Sequence, residues 1–168
     1  DCDAHEVCNE AAVWETYFWS RDNRTIDGRH LLLLPVGSER AGAVLLLTPE
    51  TQALWETYGH GATPLAEVGP YRLAQVDPGW ASSLAGWRDA EPMTLATGAQ
   101  LQGWRSEVRD GAVRLWTLWR VVSPPAQGQV QMFNHLYADG DKVAGEDFSV
   151  SIRAWQSGDW LVFWADLP

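Results

Sequence analysis

The side chains that could do chemistry fall mostly in the last third of the chain. Asp139, Asp141, Glu146 and Asp147 flank a single Asp-Gly turn. Carboxylates on the loops of β proteins can gather the oxygens that calcium prefers. A tight hairpin turn explains Asp139-Gly140 without any metal. His135 lies in the middle of an apolar/polar run, where a lone histidine serves as a hydrogen-bonded structural residue or as a ligand contact. Trp116, Trp160 and Trp164 offer ring faces that suit the C–H surface of a sugar, and each carries one N–H that wants an acceptor. Asp89, Glu91 and Glu107 are acids, but glycoside hydrolysis needs two carboxyl groups at a set separation, and nothing in the spacing singles out a pair. Cys2, His5 and Cys8 have the ligand types zinc accepts, yet their spacing matches no zinc signature. The sequence has no P-loop, dinucleotide-binding glycine motif, zincin motif or nucleophile elbow. No cofactor, metal or catalytic residue is expected.

The elements that must position these residues change character along the chain. Glu6 to Trp19 has apolar residues at helical spacing (Val7, Ala11, Trp14, Phe18). Leu31 to Val36 and Ala43 to Leu47 are continuous apolar runs that read as buried strands. Thr48-Pro49-Glu50 then has the cap, proline and acid of a helix start. Leu65 to Val68 and Tyr71 to Val76 read as strands about Gly69-Pro70. This order predicts a small α/β subdomain over residues 1–78. Asp77-Pro78-Gly79 to Ser82-Ser83 has the composition of a linker, which extends to residue 89.

From Met93 onward the pattern is all β. Strands are expected at 93–96, 101–108, 112–122, 130–137, 142–151 and 160–167. Asp110-Gly111, Pro124-Pro125, Asp139-Gly140 and Ser157-Gly158 supply the turns. On 112–122 the alternation puts Val113, Leu115, Thr117 and Trp119 on one face, read as the core. Arg114, Trp116, Leu118 and Arg120 take the other, so Trp116 is expected to be partly exposed or interfacial. On the last strand Trp160 and Trp164 share a face. The expected fold is α+β: a small N-terminal α/β layer packed on a jelly-roll-like antiparallel β-sandwich over residues 90–168.

Composition excludes several classes of function. The chain has 168 residues and a formal charge of -10, and Lys142 is its only lysine. Nucleic-acid binding needs a basic surface to displace counterions, which this chain lacks. The acidic balance also argues against an anionic-membrane anchor. No segment approaches the roughly 20 apolar residues needed to span a bilayer, so no direct membrane insertion is expected. The chain opens on Asp1, with no initiator Met, and is expected to be a processed or excised piece. Tryptophan is unusually frequent, with 11 copies. Core and interdomain packing should absorb most of them.

One stretch carries a family resemblance. It comprises Phe133-x-His135-Leu136, Asp139-Gly140, Val143-Ala144, Asp147, Trp155-x-x-Gly158-Asp159 and Leu167-Pro168. The pattern resembles a β-sandwich domain of bacterial membrane glycosyltransferases, similar to dolichyl-phosphate-mannose protein mannosyltransferases. Gln100-Leu101-Gln102-Gly103-Trp104 and Arg114-Leu115-Trp116-Thr117-Leu118-Trp119 fit strands of the same domain. The resemblance spans about residues 90 to 168. It implies a non-catalytic domain on the extracytoplasmic side, periplasmic or cell-surface, that contacts glycan acceptor or the protein's own membrane domain. The reading from another class is a free-standing carbohydrate-binding protein using Trp116, Trp160, Trp164 and His135. An even cysteine count gives weak support for a Cys2–Cys8 disulfide, and the implied oxidising compartment adds to it. Two free thiols remain the alternative.

Overall fold

A computed structural model of the protein describes Arg24, Thr51 and residues 26–35, 43–48, 62–76, 87–123 and 128–168. These residues form antiparallel β-structure consistent with a sandwich. In chain order the strands are β1 (Leu31–Leu34), β2 (Ala43–Leu47), β3 (Ala62–Val68), β4 (Tyr71–Val76) and β5 (Arg88–Asp89). They continue with β6 (Ala99–Arg109), β7 (Ala112–Val121), β8 (Gln129–Ala138), β9 (Asp141–Ser151) and β10 (Trp160–Leu167). A five-stranded sheet has the order β1-β10-β7-β6-β5, a three-stranded sheet the order β2-β4-β3, and β8 and β9 pair alone.

The turns form for local reasons. Asp110 and Gly111 have φ of 52° and 85°, and Asp139 and Gly140 have 53° and 91°. Positive φ at both central residues is the signature of the hairpin turn that matches strand twist. These turns join β6 to β7 and β8 to β9, each as a long two-stranded ribbon.

The five-stranded sheet is covered on both sides, so its strands have no solvent face at their centres. On one side Leu31, Leu33, Trp119, Val121, Leu161 and Phe163 meet Val150, Ile152 and Trp155. Here the β8–β9 ribbon is the cover, with Val130, Met132 and Phe148 turned inward. On the other side Leu32, Leu34, Trp116, Leu118 and Val162 meet Val76 and Ala62 of the three-stranded sheet. Two-sided burial explains the continuous Leu31–Leu34 run, every residue of which is buried. Each such leucine contributes about 1.5–3 kcal/mol of transfer free energy.

The expected N-terminal α/β layer is not what the described residues build. They contain no helix, and β1 lies in the five-stranded sheet with Leu31 opposite Phe163. β2, β4 and β3 form a purely antiparallel sheet. The helix read over Glu6 to Trp19 lies outside the described residues. So does most of the second helix; within it, Thr51 donates its backbone N–H to the Thr48 carbonyl at 3.0 Å. Cys2 and Cys8 also lie outside the described residues, as does most of the 79–89 linker, although Arg88 and Asp89 pair with Trp104 and Gly103.

Of the two placements expected for Trp116, partly exposed or interfacial, the structure has the second. It is 1% exposed and packs with Val76 and Ala62 of the three-stranded sheet. Arginines on its face had suggested solvent, but they lie on rings or pair with an acid. Arg105 and Arg114 lie over the Trp116 ring, 4.2 and 5.8 Å from its centroid. Arg114 also grips Asp166 through two bonds of 2.5 and 2.6 Å.

Candidate functional site

The outward face of the β8–β9 ribbon concentrates exposed rings. Alternation on β8 turns Val130, Met132, Asn134 and Leu136 inward. It sends Phe133, His135 and Tyr137 outward. Phe133 is 69% exposed and Tyr137 59%. Large apolar side chains this exposed and this close together mark contact surfaces more often than chance decoration. The three rings form one row, with His135 edge-on to Phe133 at 6.1 Å and to Tyr137 at 6.2 Å. Val143, 55% exposed, extends the face beside the turn. A register shift near Leu136/Tyr137 sets Lys142 opposite Tyr137 and leaves Val143 as the extra residue.

Polar groups fix the row. His135 Nε2 and Asp147 Oδ1 are 2.9 Å apart. Ser149 Oγ donates to Gln131 Oε1 at 2.6 Å, one step further along the same face. Gly145 lies directly opposite His135. A Cβ there would come within 2.9 Å of the His135 ring and 2.6 Å of the Lys142 side chain. Glycine therefore provides the floor over which both side chains lie. Beneath, Asn134 donates its side-chain amide to the Glu146 carbonyl at 3.0 Å, pinning the ribbon.

The ribbon's acids do not act together. Asp147 points outward to His135, while Glu146, on the next residue, faces the sheet. Glu146 Oε2 accepts the Asp166 backbone N–H at 2.6 Å, and His30 stacks on Phe148 at 4.2 Å beside it. Glu146 thus serves β10 where β1 has run out. Among the described residues, no group of three His, Cys, Asp or Glu is placed to hold a metal ion. Nor, among the described residues, does the His135–Asp147 pair reach a nucleophile. Activation requires a hydroxyl or thiol within hydrogen-bond distance of the ring. Among the described residues the ring bonds to Asp147.

The sequence-derived tryptophans are placed differently. Trp116 is buried, and Trp160 and Trp164 are half-buried against the core of the opposite sheet face. Trp160 lies under Arg120, whose guanidinium carbon is 4.7 Å from its ring. Three Arg–Trp contacts are cross-strand partners: Arg88 with Trp104, Arg105 with Trp116 and Arg120 with Trp160. This is how a β-sheet with so many indoles accommodates arginine: each guanidinium lies on a ring face that attracts it. Of the sequence-derived ligand residues, only His135 stands on the exposed aromatic row. Phe133 and Tyr137 were not singled out in the sequence, although strict alternation with His135 places all three on one face.

The Trp155-x-x-Gly158-Asp159 motif is structural. Trp155 is buried in the core, and Gly158 has a φ of 92° that favours glycine. Asp159, 1% exposed, accepts from Arg24 at 2.5 and 3.2 Å and from the Gln156 backbone N–H at 2.7 Å. Comparison with protein-family models, curated proteins and solved structures finds no match to this chain.

Proposed function

We propose that this chain is a non-catalytic binding domain that contacts glycan through the outer face of the β8–β9 ribbon. The observation that carries this reading is the exposed Phe133–His135–Tyr137 row. Sugar rings present C–H faces that lie on aromatic rings, and their hydroxyls take hydrogen bonds from neighbouring polar groups. Asp147, Gln131 and Ser149 supply such groups along the same face. The resemblance described above extends this proposal. The domain would stand on the extracytoplasmic side of a membrane glycosyltransferase-like protein and engage the acceptor or its own membrane domain. A free-standing carbohydrate-binding protein would use the same face.

A glycan array probed with the intact chain tests the proposal. Binding that is lost in Phe133→Ala and Tyr137→Ala, with unchanged circular dichroism, supports it. A flat array, or binding indifferent to both substitutions, would sink it. The full reading frame of the gene separates the two settings, because the membrane-enzyme reading needs apolar spans of about 20 residues elsewhere in the same protein.

A further inference from the structure

The sheet face opposite the ribbon holds a cluster that packing alone leaves unexplained. Arg105 sits between two indoles, its guanidinium carbon 5.6 Å from the Trp87 ring centroid and 4.2 Å from that of Trp116. Trp87 Nε1, Arg105 Nε and Trp116 Nε1 are all buried and all lack a hydrogen-bond partner. Every one of them is a donor, and none of these side chains offers an acceptor. Buried N–H groups are nearly always paired, so three orphans in one contiguous stack point to a missing acceptor.

Neighbouring arginines do not share this deficit. Arg24, Arg29, Arg72, Arg109 and Arg114 each face a carboxylate. Arg88 and Arg120 each lie on a single ring, and neither has an orphaned buried atom. Arg105 faces rings on two sides and no described carboxylate. What sets Arg105 apart among the described arginines is that its buried Nε has no partner.

We propose that Arg105, Trp87 and Trp116 form a binding site for a ligand oxyanion, a carboxylate or a phosphate. Both groups match the planar donor fork of a guanidinium, and their remaining lone pairs accept from indole N–H. The flanking rings lower the local dielectric and strengthen those bonds. Arg105 and Trp87 are half-buried, so the rim of the stack faces solvent while the three orphaned N–H groups lie inside it, with Trp116, 1% exposed, beneath; the ligand engages them by parting the stack. The site lies across the sheet from the aromatic row and stands or falls separately from it.

The test follows the indole N–H signals of Trp87 and Trp116 by nitrogen–proton NMR of the intact chain. Glucuronate, inorganic phosphate and glucose are titrated at constant ionic strength. The expected result is a saturable shift of those two signals with glucuronate or phosphate and none with glucose. Trp119 and Trp155, on the other face, stay fixed and report the fold. Response to glucuronate alone identifies a carboxylate ligand, and response to phosphate alone identifies a phosphate. Arg105→Gln should weaken binding about tenfold or more, because a charge-assisted pair is lost. Arg105→Lys, which keeps the charge but not the fork, should weaken it too. No saturable shift with either anion, an equal response to glucose, or an undiminished response in folded Arg105→Gln overturns the proposal. If Arg105→Gln does not fold, the titration of the unaltered chain decides.

Discussion

Asp159→Asn should be the most destabilising conservative change at a charged residue among the described residues. Asp159 is 1% exposed and its partner Arg24 14%. The carboxylate takes two bonds from the guanidinium and one from the Gln156 N–H. Arg24 also donates to the Ala154 carbonyl at 2.9 Å, so it ties the chain before β1 to the turn before β10. The substitution preserves shape but removes the charge and turns one acceptor into a donor that faces other donors. Breaking a buried ion pair leaves an uncompensated charge and costs about 3–5 kcal/mol. Partial exposure of Arg24 favours the lower end. For a chain of this size about 3 kcal/mol lowers Tm by roughly 6–12 °C. Thermal unfolding measured by calorimetry, with urea titration for the free energy, reads the effect. Arg24→Leu and the double variant complete a thermodynamic cycle. A coupling energy of about 2 kcal/mol or more is expected for groups in direct contact. A Tm loss below roughly 2 °C, or additive single effects, would refute the reasoning.

The remaining predictions use other parts of the fold. Gly98→Ala should destabilise by more than about 4 kcal/mol, or prevent folding, because several faults combine at one site. A Cβ there would lie 1.5 Å from the Ser123 carbonyl oxygen, at a φ of 74°. Soluble yield and thermal melts check it. Phe133→Ala and Tyr137→Ala should change stability by less than about 0.5 kcal/mol, since both rings are solvent-facing, while abolishing glycan binding. Urea melts paired with the array separate the two effects. Asp166 has its pKa lowered from 3.8, first by its hydrogen bonds to Arg114. A carboxylate with a depressed folded pKa contributes stability above its unfolded value and loses it as pH falls through the folded value. Acid unfolding below pH 3.8 should therefore be shallower in Arg114→Gln, as followed by tryptophan fluorescence.

Local features were legible in the sequence; long-range pairing was not. Asp110-Gly111 and Asp139-Gly140 are written into the chain because few residues tolerate positive φ twice in succession. The Leu31–Leu34 run was readable as a buried strand for the same reason that parallel strands are: both faces are covered. Its partner was not readable, because β1 pairs with β10 across almost the whole chain. Pro64 in β3 made the strand look shorter than it is. An exposed edge strand tolerates proline, and β3 is exposed along nearly all its length. For Trp116 the sequence left exposure open, because arginines at alternate positions look like a solvent face. Only the register, with Arg105 and Trp164 beside Trp116, reveals that the cations are laid on rings. His135 stands out in the sequence as a lone strand histidine, but its two aromatic neighbours do not, because Phe and Tyr on a strand look like core.

The distribution of aromatic residues argues for a division of labour between the two surfaces of the β8–β9 ribbon and the sheet beneath it. Trp119, Trp155, Phe148 and Phe163 are spent inside, where a large ring contributes most per residue. Trp87, Trp116, Trp160 and Trp164 are spent on the other sheet face with the arginines. Neither set is open to a ligand as a flat platform. Phe133 and Tyr137 belong to neither core and remain exposed on the ribbon. A protein that needed them only for stability would have buried them. Their exposed rings carry the cost of hydrating apolar surface, and the His135–Asp147 bond fixes the middle ring of the row. Preordered aromatic contacts lose little conformational entropy on binding, which is the property a shallow glycan-binding face requires.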